Sequence, residues 1–371
     1  MEQIKNMISD ISPDWQPETA KNAKALCKVF IDTPRERRYL FGRNVYADAV
    51  ARKVAVAGFV DDFTNETESG GLPIFRLSGL PADAVVLTCS GGRPLTVRRI
   101  LDAKGLTHLD YFSLLKWGGL DLPEAVFNEG FTEAVSAHKS EVNWVESLMA
   151  DDTSLQVLRK LVAFRMSYDL NHLEGFTQRE DKQYFEPFID YSAGLPIFVD
   201  VGCFDGFTTE EFIKHVPDYS AVHVFEPDLE NYKVCKARLE QYGNITLHPY
   251  GTGAKDEVLR FSSSGSASAI SDKGDLEIDI RRIDDLVTDV PTFIKMDIEG
   301  AELDALEGAR RLISTHHPTL AICVYHRPSD LWEVPQKVLS MYDGYSVYLR
   351  HYTESIYETV MYFVADNMVA Q

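Results

Sequence analysis

The residues best placed to do chemistry stand in three short runs. Asp200-Val-Gly202-Cys203-Phe-Asp205-Gly206 follows an apolar stretch, and Phe225-Glu226-Pro227 ends a second one. Phe293-Ile-Lys295-Met-Asp297-Ile-Glu299-Gly300-Ala-Glu302 then brings basic and acidic side chains to the end of a third. In the first run Gly202 lets the backbone turn sharply, and Gly206 lets the following helix pack close to the strand. A dinucleotide fingerprint spaces its glycines as G-x-G-x-x-G; here three residues separate Gly202 from Gly206, and Asp200 and Asp205 flank them. Those carboxylates would repel a pyrophosphate, whereas an amino acid carrying a sulfonium would tolerate them. The spacing therefore favours S-adenosylmethionine over NAD.

Glu226 lies 26 positions after Asp200 (226 − 200), about one strand–helix–strand unit. A carboxylate at that strand end accepts hydrogen bonds from ribose hydroxyls in nucleotide-binding sheets. Tyr250-Gly251 follows the next strand, where an adenine edge would sit. Cofactor contacts are accordingly expected from Asp200, Gly202, Cys203, Asp205, Gly206, Glu226, Pro227, Tyr250 and Gly251. In the third run, alternation carries Lys295, Asp297 and Glu299 to one side for as long as the strand persists. Burying three charges costs several kcal/mol, about that much, unless they pair or react. His326 follows the fifth strand and approaches the same mouth. Asp297, Glu299 and His326 are therefore the candidates for a base that removes a hydroxyl proton, with His326 having the intrinsic pKa suited to neutral pH. The same three are the candidate ligands of an Mg²⁺ ion that would lower the hydroxyl pKa. Helix capping and ion pairing are the structural alternatives for the two acids, and a satisfied structural role is the alternative for the histidine.

The elements that must position these groups read as two α/β segments joined by a helical bridge. Strand-like runs at Arg38 to Phe41, Val54 to Val60, Ala84 to Thr88 and Leu109 to Phe112 alternate with helical patterns in residues 1–117. Residues 118–196 are mostly helical in pattern, with a helix start at Asp152-Thr153-Ser154. From residue 197 the α/β alternation restarts, with strands at Pro196 to Val201, Ala221 to Glu226, Ile245 to Pro249, Phe293 to Asp297 and Leu320 to Tyr325. The runs Tyr345 to Arg350 and Glu358 to Ala365 form a terminal antiparallel pair. Ser262 to Ser268 is expected to be a mobile loop.

Composition narrows the function classes. The chain has 371 residues, 37 basic and 57 acidic side chains and a formal net charge of −20. That charge, with no compensating basic stripe, disfavours nucleic acid as substrate. No apolar run approaches the roughly 18 residues of a membrane helix. The N-terminal residues lack the basic-then-apolar pattern of a secretory signal, so no membrane insertion and a cytoplasmic location are expected. The five cysteines have no metal-like or disulfide-like spacing. Oligomerisation is left open.

The segments FVDVGCFDGFTT, VHVFEPD, IDDLV and FIKMDIEGAELDALEGA, in that order, resemble the FkbM family of methyltransferases over Ile197 to Ala365. The upstream runs SLQVLRKLVAFRMSYDL and QYFEPF are similar to bacterial FkbM proteins with an additional N-terminal domain. The resemblance implies a seven-stranded Rossmann-like methyltransferase sheet, mostly parallel with an antiparallel last strand, in residues 197–371. It also implies methylation of a hydroxyl on a sugar, nucleotide sugar, or polysaccharide or polyketide precursor, and so a small-molecule or glycan acceptor. The family's cofactor positions carry over to Asp200, Gly202, Gly206 and Glu226, and its acidic positions to Asp297 and Glu299. Upstream, LFGRNVYADAV, GFVDDF and GLPIF resemble nucleotide-sugar-type Rossmann-like domains, but Gly42 stands alone where a dinucleotide fingerprint needs several glycines. Arg93, Arg98 and Arg99 are either an anion contact or a solvated helix face. The rival reading is an inactive sugar-nucleotide-binding protein, against which Gly202, Gly206 and Glu226 speak.

Overall fold

The computed structural model describes residue 11 and residues 14–191, 194–262, 269–270 and 276–365. The chain separates into two units. One comprises 1–137, 158–179 and 352–357; the other comprises 138–157, 180–351 and 358–371.

The first unit holds β1 (Arg38–Phe41), β2 (Gly58–Val60), β3 (Glu68–Ser69), β4 (Leu72–Phe75), β5 (Val85–Thr88) and β6 (Thr107–Asp110). They form one sheet in the order β3-β4-β2-β1-β5-β6, parallel except for the β3–β4 pair. The helices α1 (Pro17–Asp32), α2 (Val45–Lys53), α3 (Pro94–Ala103), α4 (Tyr111–Trp117) and α5 (Phe131–Ala137) accompany it. Tyr39, Val60, Val86, Val97 and Leu101 meet in its core. Helix α1 was not expected from the sequence, yet its buried face of Ala23, Cys27 and Phe30 has helical spacing. The strand expected to reach Phe112 stops at Asp110, whose carboxylate accepts the Ser113 N–H at 2.8 Å and so caps α4.

Two further helices, α6 (Lys139–Leu148) and α7 (Asp152–Ser167), precede the second sheet. Asp151 accepts the Ser154 N–H at 2.7 Å at the start of α7.

The second unit is built on β7 (Ile197–Val201), β8 (Ala221–Phe225) and β9 (Ile245–His248), followed by the short strands β10 (Gly251–Thr252), β11 (Glu257–Ser262), β12 (Ala269–Ile270) and β13 (Leu276–Arg281), then β14 (Phe293–Met296), β15 (Thr319–Cys323), β16 (Tyr345–His351) and β17 (Thr359–Ala365). The main sheet has seven strands in the order β16-β17-β15-β14-β7-β8-β9. Its neighbours pair in parallel except for β17, which runs antiparallel to both β15 and β16. Every residue of β7 and β14 is buried, as strands covered on both faces require. Helices α8 (Phe207–His215), α9 (Leu229–Leu239), α10 (Ile283–Leu286), α11 (Glu302–Gly308), α12 (Arg310–His316) and α13 (Asp330–Met341) complete the unit. Phe198 stacks on Phe212 of α8 and on Phe293 of β14, with centroids 4.5 and 5.1 Å apart.

Between β9 and β14 the sequence reading placed no strand, only the Ser262 to Ser268 loop. The structure has instead a four-stranded sheet in the order β10-β13-β11-β12 and a single turn of helix, α10. Of the Ser262 to Ser268 run, residues 263–268 lie outside the described residues. Among the described residues, no helix is long and apolar enough to cross a membrane.

Candidate active site

Strand β7 ends at Val201, and the chain turns at Gly202 with φ +79°. A Cβ on Gly202 would stand 2.0 Å from the Asp297 carbonyl oxygen and 2.8 Å from Ile298 Cγ2, so the ends of β7 and β14 meet where only hydrogen fits. The turn is pinned by the Gly202 N–H, which donates to the Phe225 carbonyl at 3.0 Å. Gly206, at φ +82°, opens α8; a Cβ there would lie 3.0 Å from the Cys235 thiol of α9. Between the glycines, Asp205 accepts the Phe207 N–H at 3.0 Å and ion-pairs with Arg238 at 2.6 Å.

Beneath this loop Asp200 is fully buried. One carboxylate oxygen accepts Thr209 Oγ1 at 2.6 Å and the other stands 3.1 Å from Lys295 Nζ. The same ammonium donates to the Gly202 carbonyl at 2.6 Å. Burial works against the charge on Lys295, but the Asp200 and Asp297 carboxylates outweigh it and hold its pKa above the ordinary lysine range. This corrects the electrostatic argument made from the sequence. Asp200 is neutralised by Lys295 and Asp205 is paired with Arg238, so neither is the reason a pyrophosphate would be refused.

Glu226 is buried behind the loop, accepting the Phe204 and Asp228 N–H groups at 2.9 Å each. Burial pushes its carboxyl up to about 7 despite those two bonds. Its backbone contacts make it a brace for the 202–206 turn, and each oxygen retains acceptor capacity for a hydroxyl.

At the carboxyl ends of β7 and β14 opens a cavity of about 350 Å³. One wall is the loop from Gly202 through Thr208, with Glu211. The floor carries Lys295 and Asp297, and the opposite wall carries Glu180, Asp181, Gln183, Tyr184, Phe185 and Glu358. Asp297 accepts the Tyr184 hydroxyl at 3.0 Å and the Tyr325 hydroxyl at 3.4 Å. Tyr325 also reaches Glu358 at 3.3 Å, and Gln183 Nε2 donates to both Tyr184 Oη at 3.0 Å and Glu358 at 2.5 Å. Burial, and then the nearby Asp297 charge, push Glu358 up to about 7. Tyr184, Phe204, Glu299 and Glu358 all have left-handed backbones, with φ of 71°, 53°, 57° and 60°. Such conformations are uncommon for side chains of this size.

His326 lies behind Asp297 with its side chain 1% exposed. Its Nδ1 stands 2.9 Å from Glu302 Oε1, and its Nε2 stands 3.4 Å from Asp297 and 3.7 Å from Glu299. Burial alone would lower its pKa, but Glu302, Asp297 and Glu299 outweigh burial and raise it to about 9. The ring is therefore an imidazolium at neutral pH. Glu299 is itself pushed up to about 7, mainly by burial. Donor atoms of Asp297, Glu302 and His326 lie within 4.8 Å of one another. The set does not suit Mg²⁺, which takes oxygen ligands in a near-octahedral shell: one of the three donors is a ring nitrogen, and His326 and Glu302 are already bonded to each other.

Of the residues singled out in the sequence, Gly202, Cys203, Asp205 and Asp297 line the cavity. Asp200, Gly206 and Glu226 support that lining from behind, and Glu299 and His326 stand behind Asp297. Pro227, Tyr250 and Gly251 are not among its lining residues. The Tyr250 ring lies 5.2 Å under Arg281, and Gly251 packs in β10 against Ile280. The alternation expected to bring Glu299 alongside Lys295 and Asp297 fails because the strand ends at Met296 and Glu299 turns left-handed. Gln183, Tyr184, Tyr325 and Glu358 are not among the site residues expected from the sequence, although Gln183 and Tyr184 open the QYFEPF run.

Residues 200–353 match the sequence model of the Methyltransferase FkbM domain. That stretch of the chain has a methyltransferase fold of the FkbM type. The crystal structure of methyltransferase FkbM from Methylobacillus flagellatus KT is 26% identical to it, covers 95% of this chain and 100% of its own, and superposes with a TM-score of 0.69. An rRNA methylase from Streptococcus thermophilus matches at 16% identity over 48% of this chain and 90% of its own, with a TM-score of 0.31. Precorrin-6y C5,15-methyltransferase from Geobacter metallireducens GS-15 matches at 14% over 45% and 77%, with a TM-score of 0.28. No curated protein matches the chain. The FkbM match begins at Asp200 and ends at Thr353, so Gln183, Tyr184 and Glu358 of the cavity lie outside it.

Proposed function

We propose that the cavity binds S-adenosylmethionine and that the protein transfers its methyl group to a hydroxyl of a sugar, nucleotide sugar, or polysaccharide or polyketide precursor. The observation that carries the reading is the Gly202 turn, where backbone replaces side chain at the joined ends of β7 and β14 and leaves a cavity of about 350 Å³ at the carboxyl ends of the strands. Open α/β sheets bind their ligands at that edge. The Gly202–Gly206 loop frames the donor, Asp200 and Lys295 hold that loop down, and Glu226 accepts the ribose hydroxyls with the lone pairs its backbone bonds leave over. Pro227, Tyr250 and Gly251, which do not line the cavity, are proposed to meet the adenine beyond that lining. The acceptor class follows from family resemblance, and a cytoplasmic enzyme acting on a small-molecule or glycan acceptor is part of this reading.

The transfer is a direct displacement. The acceptor oxygen forms a bond to the methyl carbon, the carbon–sulfur bond breaks, and its electron pair returns sulfur to a neutral thioether. In-line positioning supplies most of the acceleration. The hydroxyl proton passes to a carboxylate, for which Asp297 is placed at the cavity wall. His326, carrying its own proton, and Glu299 position that carboxylate. No step is routed through a metal ion.

Calorimetry with S-adenosylmethionine and S-adenosylhomocysteine tests the donor, and methyl incorporation across a panel of sugars and nucleotide sugars tests the acceptor. Loss of the base costs about 10²–10⁴-fold in turnover. Wild-type turnover in both Asp297→Asn and His326→Ala would refute these assignments. Absence of binding by either adenosyl ligand would favour the inactive binding-protein reading.

A further inference from the structure

The cavity lining has a chemical character of its own. Six carboxylates line the cavity, those of Glu180, Asp181, Asp205, Glu211, Asp297 and Glu358, against one ammonium, Lys295. That ammonium is already held between Asp200 and the Gly202 carbonyl. Glu358 differs from the others in how firmly it is set. Gln183 donates to one oxygen, and the Tyr325 hydroxyl stands 3.3 Å from the other and 3.4 Å from Asp297, so its one proton is shared between two carboxylates held close to the same hydroxyl. Its left-handed backbone at the start of β17 aims it there, and the neighbouring Tyr184 is likewise left-handed. Two carboxylates held together in a closed wall repel each other, and a cation brought between them and the solvent removes that cost.

We infer that Glu358, acting with Asp297, reads the positive charge of the donor's sulfonium, so that the cavity discriminates S-adenosylmethionine from its uncharged product S-adenosylhomocysteine. The inference rests on the reading of this cavity as the donor site. The two ligands share a skeleton and differ by one methyl group and one positive charge, so their affinity ratio isolates the charge from every other contact. Losing one nearby carboxylate from a partly enclosed site changes the binding of a single charge by about tenfold. The exposed Glu180 and Asp181 act more weakly, because solvent screens them.

The experiment is isothermal titration of the full chain with S-adenosylmethionine and with S-adenosylhomocysteine, for wild type, Glu358→Gln and the double variant Glu180→Gln/Asp181→Asn. In Glu358→Gln the ratio of donor to product affinity should fall about tenfold, through weaker donor binding, with product affinity changed less than about twofold. Equal losses for both ligands would show Glu358 to be only a structural support, and an unchanged ratio would show that it does not sense charge; either result overturns the inference. Should Glu358→Gln fail to fold, the double variant decides: a two- to threefold fall in the ratio, on the order of 0.5 kcal/mol, supports charge reading and no fall overturns it. If wild type binds neither ligand, the donor reading fails before the question of charge arises.

Discussion

Replacing Gly202 with alanine is the sharpest perturbation of this site, because the added methyl group meets backbone. Its Cβ would lie 2.0 Å from the Asp297 carbonyl oxygen, with Ile298 Cγ2 at 2.8 Å on another side. No rotamer change relieves a clash with a main-chain carbonyl, so β7 and β14 must part at their carboxyl ends. The left-handed backbone adds about 1–2 kcal/mol for any residue with a Cβ, and overpacking adds about 1–3 kcal/mol. Gly202→Ala should therefore lose about 3 kcal/mol of stability in urea denaturation. It should also weaken S-adenosylmethionine at least about tenfold in calorimetry, since a shift of about 1 Å at such a wall has that effect. Two comparators separate the causes. Gly206→Ala carries a similar backbone cost, but its nearest neighbour, 3.0 Å away, is the Cys235 side chain, so it should lose about 1–2 kcal/mol. Gly243→Ala meets nothing within 4 Å and should stay within about 0.5 kcal/mol of wild type. If Gly202→Ala matches Gly243→Ala in stability and binds the donor like wild type, the joined strand ends are not what shapes the cavity.

Two further outcomes follow from the buried charges. Lys295→Met strands Asp200 without its counter-ion in a fully buried position and should cost about 3–5 kcal/mol by denaturation; replacing both members with apolar residues should recover part of that loss. For His326, whose folded pKa is raised to about 9, the stabilisation is fully present below its unfolded value near 6.5 and is lost as pH rises through 9. His326→Gln should thus trail wild type by up to about 3 kcal/mol near pH 6 and converge with it above pH 9. Glu226, Glu299 and Glu358, each raised to about 7, bind their protons more tightly when folded, so wild-type stability is separately lost as pH rises from about 4.5 to 7. A flat stability profile from pH 6.5 to 9 would contradict the imidazolium assignment.

The parts of this structure that the sequence announces are those whose physics is local. Strands β7 and β14 are buried on both faces and so spell short apolar runs, each interrupted by a single charged residue, Asp200 or Lys295, and the glycines between β7 and α8 mark a turn that no other residue makes easily. The parts that stayed hidden depend on partners far along the chain. Asp200 reads as a pocket acid because nothing nearby shows Lys295, 95 positions on, taking its charge. Glu358 reads only as the first residue of the last strand, since its place in the cavity comes from Gln183 and Tyr325. His326 looks suited to proton transfer at neutral pH until three carboxylates are found around it. The β10–β13 sheet was a different kind of miss. Ile278 and Ile280 are buried at alternate positions of LEIDIR, a period-two signal that was present but followed directly on a polar, serine-rich stretch.

The position of β17 has a consequence for how this molecule is assembled and for how it can be cut. It is the last strand of the sheet in chain order, yet it is threaded between β15 and β16 rather than added at a border. Until residues 359–365 have left the ribosome, β16 has no hydrogen-bonding neighbour in the sheet and one side of β15 lies open. A fragment trimmed to residues 200–353 would begin inside β7 and lack β17 entirely, exposing two apolar strand edges that invite self-association. A piece that keeps this sheet whole has to begin before Ile197 and run on to Ala365.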